Sequence, residues 1–164
     1  MGHDSRRYRL TRWMYRTGRP NRMARVLNRI SAVHFASGLL APGHWVTLEV
    51  TGRRSGRPVS LPLVVVHHQG GRYLVSMLGP DTNWVRNVRA AGGRAVLRHR
   101  HREPVRLSEV PVAERAPLLQ RYLDVAPGAR PHLPFDRGAP LAEIADVAAR
   151  YPVFRVDPDR SGAD

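Results

Sequence analysis

The chain has 164 residues, with 27 basic side chains against 13 acidic ones, no cysteine, and a formal net charge of +14. A chain of this length buries about 70% of its unfolded surface, and its 42% hydrophobic and 24% charged residues exclude a mainly disordered polypeptide. The lack of cysteine removes disulfide frameworks, thiolate nucleophiles and cysteine-ligated zinc or iron–sulfur centres.

No apolar run approaches the roughly 20 residues of a membrane span, and Met1–Ser5 lacks the apolar stretch of a secretory signal. A cytoplasmic protein is expected. Every basic residue is arginine, and the charge is polarised: residues 1–30 hold nine arginines and one acid, residues 31–104 ten and three, residues 105–164 eight and nine. Such asymmetry implies an anionic partner, whether nucleic acid, acidic lipid or a polyanionic small molecule.

In chain order, Tyr8–Tyr15 interleaves aromatics with arginine until Gly18-Arg19-Pro20 interrupts it. From Asn21 to Phe35, Met23, Val26, Leu27, Ile30 and Val33 recur at helical spacing with Arg22, Arg25 and Arg29 opposite, which predicts a basic amphipathic helix. Residues 1–40 are thus expected to form a basic helical extension that either packs on the main domain or docks peripherally on an anionic inner membrane face. The main domain is expected over 41–164. Val46, Leu48 and Val50 alternate with polar residues as in a half-buried strand, and Gly52–Pro58 supplies a turn. Val59–Val66 is apolar almost throughout, as expected of a strand buried on both faces, and Gln69-Gly70-Gly71 leads tightly into Tyr73–Met77. A short helix is predicted over Asn83–Ala91 with Trp84, Val85 and Val88 inward, closed by Gly92-Gly93. Strands over Ala95–Arg100 and Val105–Val110, helices over Val112–Val125 and Leu141–Arg150, and a closing strand Val153–Val156 complete the reading. The composite is mainly β (α+β), a small antiparallel barrel with peripheral helices.

Few constellations carry chemistry. His99 and His101 are placed on one face of a strand and His67-His68 are adjacent, but neither group has a third ligand at metal-site spacing and arginines flank the former, so no metal site is expected. There is no G-x-S-x-G, and Gly52–Gly56 lacks the spacing and Gly-Lys-Ser/Thr ending of a phosphate-binding P-loop. What remains is the turn Gly52-Arg53-Arg54-Ser55-Gly56-Arg57, whose guanidinium groups, hydroxyl and backbone amides can converge on phosphate or carboxylate oxygens. On spacing alone it reads equally as a solvent-exposed arginine-rich hairpin turn.

V-T-G-R-R-S-G-R-P at Val50–Pro58, Leu61-Pro62-Leu63, and N-W-V-R-N-V-R-A at Asn83–Ala90 together resemble the deazaflavin-dependent nitroreductase family, from about His44 to Val110. The resemblance implies a split β-barrel of the type that binds flavin mononucleotide, and a hydride-transferring oxidoreductase using coenzyme F420. It implies that Arg54, Ser55, Gly56 and Arg57, with Arg53 assisting or facing solvent, cradle the cofactor's phosphate and acidic tail. It further implies that Pro62 and Leu63 lie along the deazaflavin ring, Met77, Leu78 and Gly79 beside it, and Trp84, Asn87 and Val88 on the helix that closes over it. The packing alternatives are core filling for Trp84 and Val88, a cap or turn for Asn87, and an edge or bulge for Pro62.

A phosphorylated, polyglutamylated cofactor matches the cationic 31–104 segment in sign, and a hydride carrier needs no nucleophile from the protein. The expected substrate is a small apolar or conjugated molecule such as a nitro compound, quinone or enone. Met77-Leu78-Gly79-Pro80-Asp81 departs from the serine-lysine-glycine-glycine stretch of several nitroreducing members, and neither Tyr122 nor Tyr151 aligns well enough to be assigned a catalytic role. Alternatives are an enzyme using flavin mononucleotide on the same barrel, or a non-enzymatic basic protein binding lipid or nucleic acid, although no recognised nucleic-acid motif accompanies the charge. Homodimers are common in the family.

Overall fold

The structure, a computed structural model, describes residues 44–161. The helix expected over Asn21–Phe35, the Tyr8–Tyr15 segment and the boundary at residue 40 lie outside them. The elements are β1 (Trp45–Thr51), β2 (Pro58–His68), β3 (Gly71–Val75), α1 (Asn83–Ala90), β4 (Arg94–Arg98), β5 (Arg102–Glu109), α2 (Arg115–Val125), α3 (Leu141–Val147) and β6 (Val153–Pro158). The strands form a closed barrel in the order β1-β2-β3-β6-β5-β4, every pair antiparallel.

The long β2 strand organises the barrel. Its first part pairs with β1, from Thr51↔Pro58 to Trp45↔Val64, and its end pairs with β3, from Val65↔Leu74 to His68↔Gly71. The two-residue connection Gln69-Gly70 has positive φ at both positions, 47° and 77°, the type I′ geometry that matches strand twist. The apolar run in β2 serves two cores. Leu61, Leu63 and Val65 alternate into the barrel, while Val64 and Val66 join an outer cluster with Leu118, Leu119, Tyr122 and Leu123 of α2 and Ile144 of α3.

At the end of the barrel that holds the β1–β2 turn, α1 buries Trp84, Val85, Asn87 and Val88. The Trp84 ring packs on Phe154, with centroids 5.4 Å apart and planes at 58°. The helix ends in a Schellman motif: Gly93 N–H donates to Val88 O (2.9 Å) and Gly92 N–H to Arg89 O (3.1 Å). Both glycines have positive φ, but a Cβ at Gly92 would meet open space, whereas one at Gly93 would run into the Leu107 carbonyl oxygen, whose own amide donates to Gly93 O. Gly92→Ala is therefore expected to cost about 1 kcal/mol and Gly93→Ala about 3 kcal/mol or more. Denaturant melts of the two variants check the difference.

The sequence-based strands Ala95–Arg100 and Val105–Val110 prove shifted, because β4 stops at Arg98 and β5 begins at Arg102. His99-Arg100-His101 is the connection between them, and His99 and His101 do not share a strand face. The helix expected over Val112–Val125 opens as a 3₁₀ turn, Val112–Glu114, before α2, and that over Leu141–Arg150 ends as one, Ala148–Arg150, after α3. At the start of α2, Arg115 is 5% exposed. Its guanidinium donates to Val110 O (2.9 Å), Ala148 O and Tyr151 O (3.3 Å each) and Glu109 Oε1 (3.1 Å).

Two carboxylates of β5 tie it to β3 and to α1. Arg72 grips Glu103 through two bonds of 2.8 and 2.6 Å, and Arg89 grips Glu109 at 3.1 and 2.8 Å. These hydrogen bonds, reinforced by the arginine charges and opposed by partial burial, hold both carboxyl groups below the ordinary value of 4.5. A folded-state pKa below the unfolded one contributes stability above about pH 4.5 that is lost as pH falls through the folded value. The melting temperature is expected to drop in acid below that pH, and Glu103→Gln or Glu109→Gln to flatten the drop while lowering stability at neutral pH. Thermal melts across a pH series measure both.

Candidate functional site

The Gly52–Arg57 turn is closed by backbone bonds from Gly52 N–H to Arg57 O and from Gly56 N–H to Gly52 O, each 2.8 Å. Gly56, at φ 65°, supplies the left-handed residue that the return needs. Arg57 N–H donates to Ser55 Oγ at 3.3 Å, leaving the hydroxyl proton free to donate outward. The amides of Arg54 and Ser55 have no partner among the described residues, and both side chains are exposed.

Arg53 is set apart from its neighbours. Its backbone amide and its Nη1 both donate to Asn87 Oδ1, at 3.2 and 2.9 Å, and its guanidinium also reaches Asn83 Oδ1 at 3.5 and 3.4 Å. Asn87 is 4% exposed, so a buried amide of α1 fixes the turn against the end of the barrel. Arg54 and Arg57, by contrast, make no side-chain hydrogen bond or ion pair among the described residues. Among the described residues nine arginines reach a carboxylate, whereas Arg94, Arg100, Arg130, Arg150 and Arg160 are left unpaired like Arg54 and Arg57, so what sets the latter two apart is their place on one closed turn with free amides and a hydroxyl. Two uncompensated guanidinium groups, two free amides and a hydroxyl on one turn form a donor set for a phosphate or carboxylate group.

Elsewhere the candidate residues divide by face. Pro62 is half-buried on the outer face of β2, opposite Thr47, whereas Leu63 is buried inside the barrel. Trp84 and Val88 are buried under α1. Met77, Leu78 and Gly79 form the half-buried loop after β3, with Met77 against the outer cluster. Two residues not picked out from the sequence hold that loop. Ser76, 1% exposed, donates through Oγ to Gly79 O at 2.7 Å and lies 3.2 Å from Thr82 Oγ, which also reaches Gly79 O at 3.4 Å. A small hydroxyl at the end of an apolar strand followed by a glycine is the signal that marks them.

No residue here is arranged as a nucleophile with a base. Tyr122 lies in the outer cluster, where burial pushes its hydroxyl well above the ordinary tyrosine range and keeps it protonated. Tyr151 lies there too, its ring edge-on to Phe135 and its hydroxyl donating to His132 O at 3.5 Å. Among the described residues no three metal-ligating side chains converge. A carboxylate does stand beside the histidines, however: Glu103, two residues after His101, shares the pocket lined by His67, His99 and His101. Its two oxygens are taken there by Arg72.

The six strands close into an antiparallel barrel, the split β-barrel expected from the sequence, with the cationic Gly52–Arg57 turn held against α1. The model of the F420H(2)-dependent quinone reductase family matches residues 22–140, and the chain belongs to that family. It is an F420-dependent oxidoreductase whose cofactor is coenzyme F420. The match reaches back beyond His44, where the motif resemblance began.

Among solved structures, an F420-H2 dependent reductase, FDR-A, is 23% identical over 73% of this chain and 98% of its own, with a TM-score of 0.49. A structure described as a domain-swapped dimer is 21% identical over 73% of this chain and 82% of its own, at 0.50. Atu2129 from Agrobacterium tumefaciens, of unknown function, is 14% identical over 79% of this chain and 54% of its own, at 0.51. No curated protein matches the sequence. The turn suits F420, since phosphate and an acidic tail require the uncompensated cations and free amides that it offers.

Proposed function

We propose that the protein passes a hydride between F420 and a small apolar or conjugated acceptor of the quinone, nitro or enone class, and that the Gly52–Arg57 turn is the anion cradle. The observation that carries this is the pair Arg54 and Arg57, left without counter-charge on a turn that two asparagines of α1 hold in place. The deazaflavin, when bound, supplies the hydride-carrying carbon, so the work left to the chain is binding, orientation and exclusion of water. Arg54, Arg57 and the amides of Arg54 and Ser55 would hold the phosphate and acidic tail. Arg53 acts through Asn87 as a positioning residue. Pro62, the backbone at Leu63 and the Met77–Gly79 loop would flank the ring, while Trp84 and Val88 anchor α1.

Fluorescence titration with F420, and separately with flavin mononucleotide, at low and moderate salt tests the cradle. F420-preferring binding that weakens with salt supports it; equal affinity for the two, or no salt dependence, overturns it. Turnover of the reduced cofactor against a panel of quinones, nitroaromatics and enones, with saturated analogues as controls, tests the substrate class. The solved domain-swapped dimer also prompts a homodimer proposal for this chain, which light scattering coupled to gel filtration decides.

A further inference from the structure

The other end of the barrel holds a feature that the cofactor reading does not use. There a cavity of about 200 Å³ is lined by Val46, Val65 and Leu97 and rimmed by His67, Arg72, His99, His101 and Glu103. The seven-residue β1 separates it from the Gly52–Arg57 turn, a span of roughly 20 Å at the usual strand rise. We propose that this mouth is a second binding site, for a small uncharged aromatic ring bearing a hydroxyl, of the phenol type.

Size sets the first limit. An apolar cavity of about 150 Å³ accommodates one benzene ring, so this one takes a single ring with a substituent. The apolar floor gives water few partners, and displacing poorly held water by an apolar ring is favourable. The rim then selects the polar group. His99 Nδ1–H donates to Trp45 O at 2.8 Å, which places that ring's free lone pair on Nε2. His44 is fixed likewise, Nδ1–H to Val65 O at 3.3 Å, and its ring sits edge-on to His67 at 5.7 Å. Burial, with the nearby His44 and Arg72, lowers the His67 pKa and keeps that imidazole neutral at neutral pH. The mouth therefore offers imidazole acceptors to a hydroxyl donor.

Charge excludes the competing ligands. Arg72 and Glu103 satisfy one another through two bonds, so the one arginine among the described lining residues is not free for a carboxylate, and Glu103 repels one. A metal ion is excluded by the same pairing, since no three ligating side chains converge among the described residues.

The test uses the full-length protein and phenol, with benzene and benzoate as comparison probes, followed by the histidine ring resonances in NMR. The expected result is saturable phenol binding in the millimolar range, with shifts concentrated on His67, His99 and His101. Benzene should bind at least tenfold more weakly and benzoate should not compete. Val46→Phe, which fills the cavity, should abolish the phenol shifts. Shifts that do not saturate, that spread evenly over the other histidines, or that benzoate reproduces would overturn the site. Should Val46→Phe fail to fold, the ranking of the three probes on the wild-type protein decides alone. Because F420 affinity is read separately, failure here is distinct from failure of the cradle.

Discussion

The double variant Arg54→Ala/Arg57→Ala is expected to lose roughly two orders of magnitude in F420 affinity while melting within a degree or two of the wild type. Charge-assisted hydrogen bonds are each worth about 1.5–3 kcal/mol when made, and solvent screening at an exposed turn takes the pair toward the lower end. The fold is spared because neither side chain has a partner among the described residues, and the turn is held by Arg53 and Asn87 instead. Titration of the variant with F420 at two salt concentrations checks both parts, since the remaining affinity should also have lost most of its salt dependence. An affinity within threefold of wild type would move the cofactor's acidic groups elsewhere on the protein.

Arg115→Leu is expected to be the most damaging side-chain replacement in the outer layer, at about 3–5 kcal/mol, or a fall of about 10 °C or more in melting temperature. The guanidinium gathers three carbonyls from different segments, at Val110, Ala148 and Tyr151, together with Glu109. Leucine fills part of the volume but leaves those buried acceptors without a donor. Calorimetry of the variant gives the number. A loss below 1 kcal/mol would mean that water replaces the arginine at all three carbonyls.

How much of this was legible in the sequence depended on the range of the interactions involved. The alternation in β1, the glycine pair after α1 and the apolar run of β2 are local signals, and each placed its element within a few residues. Signals that depend on barrel closure were silent. Arg53 and Asn87 are 34 residues apart, and nothing in the turn alone shows that one arginine of three is committed to a helix while two are left free. Arg115 reads as one more surface arginine, because its acceptors at Ala148 and Tyr151 lie 33 and 36 positions later. The approach of His67 to the local His99, His101 and Glu103 group likewise needs β1 to bring β2 and β4 together, and β3 to carry Arg72 toward β5. The family resemblance supplied what local periodicity lacked: a reason to prefer the anion cradle over an ordinary exposed turn.

The closed strand order limits how the protein can associate. In the ring β1-β2-β3-β6-β5-β4 each strand already has two hydrogen-bonded neighbours, so among the described residues the addition of a further strand is confined to stretches such as Pro58–Val64 of β2, which pairs with β1 alone. Beyond that stretch, a second copy or a peptide partner has two routes: packing side chains against the outside of the ring, or replacing one of its staves. The first is reversible and depends on concentration. The second requires a barrel to open before it re-forms around a foreign strand, so assembly by that route would be slow, and as difficult to undo as unfolding itself.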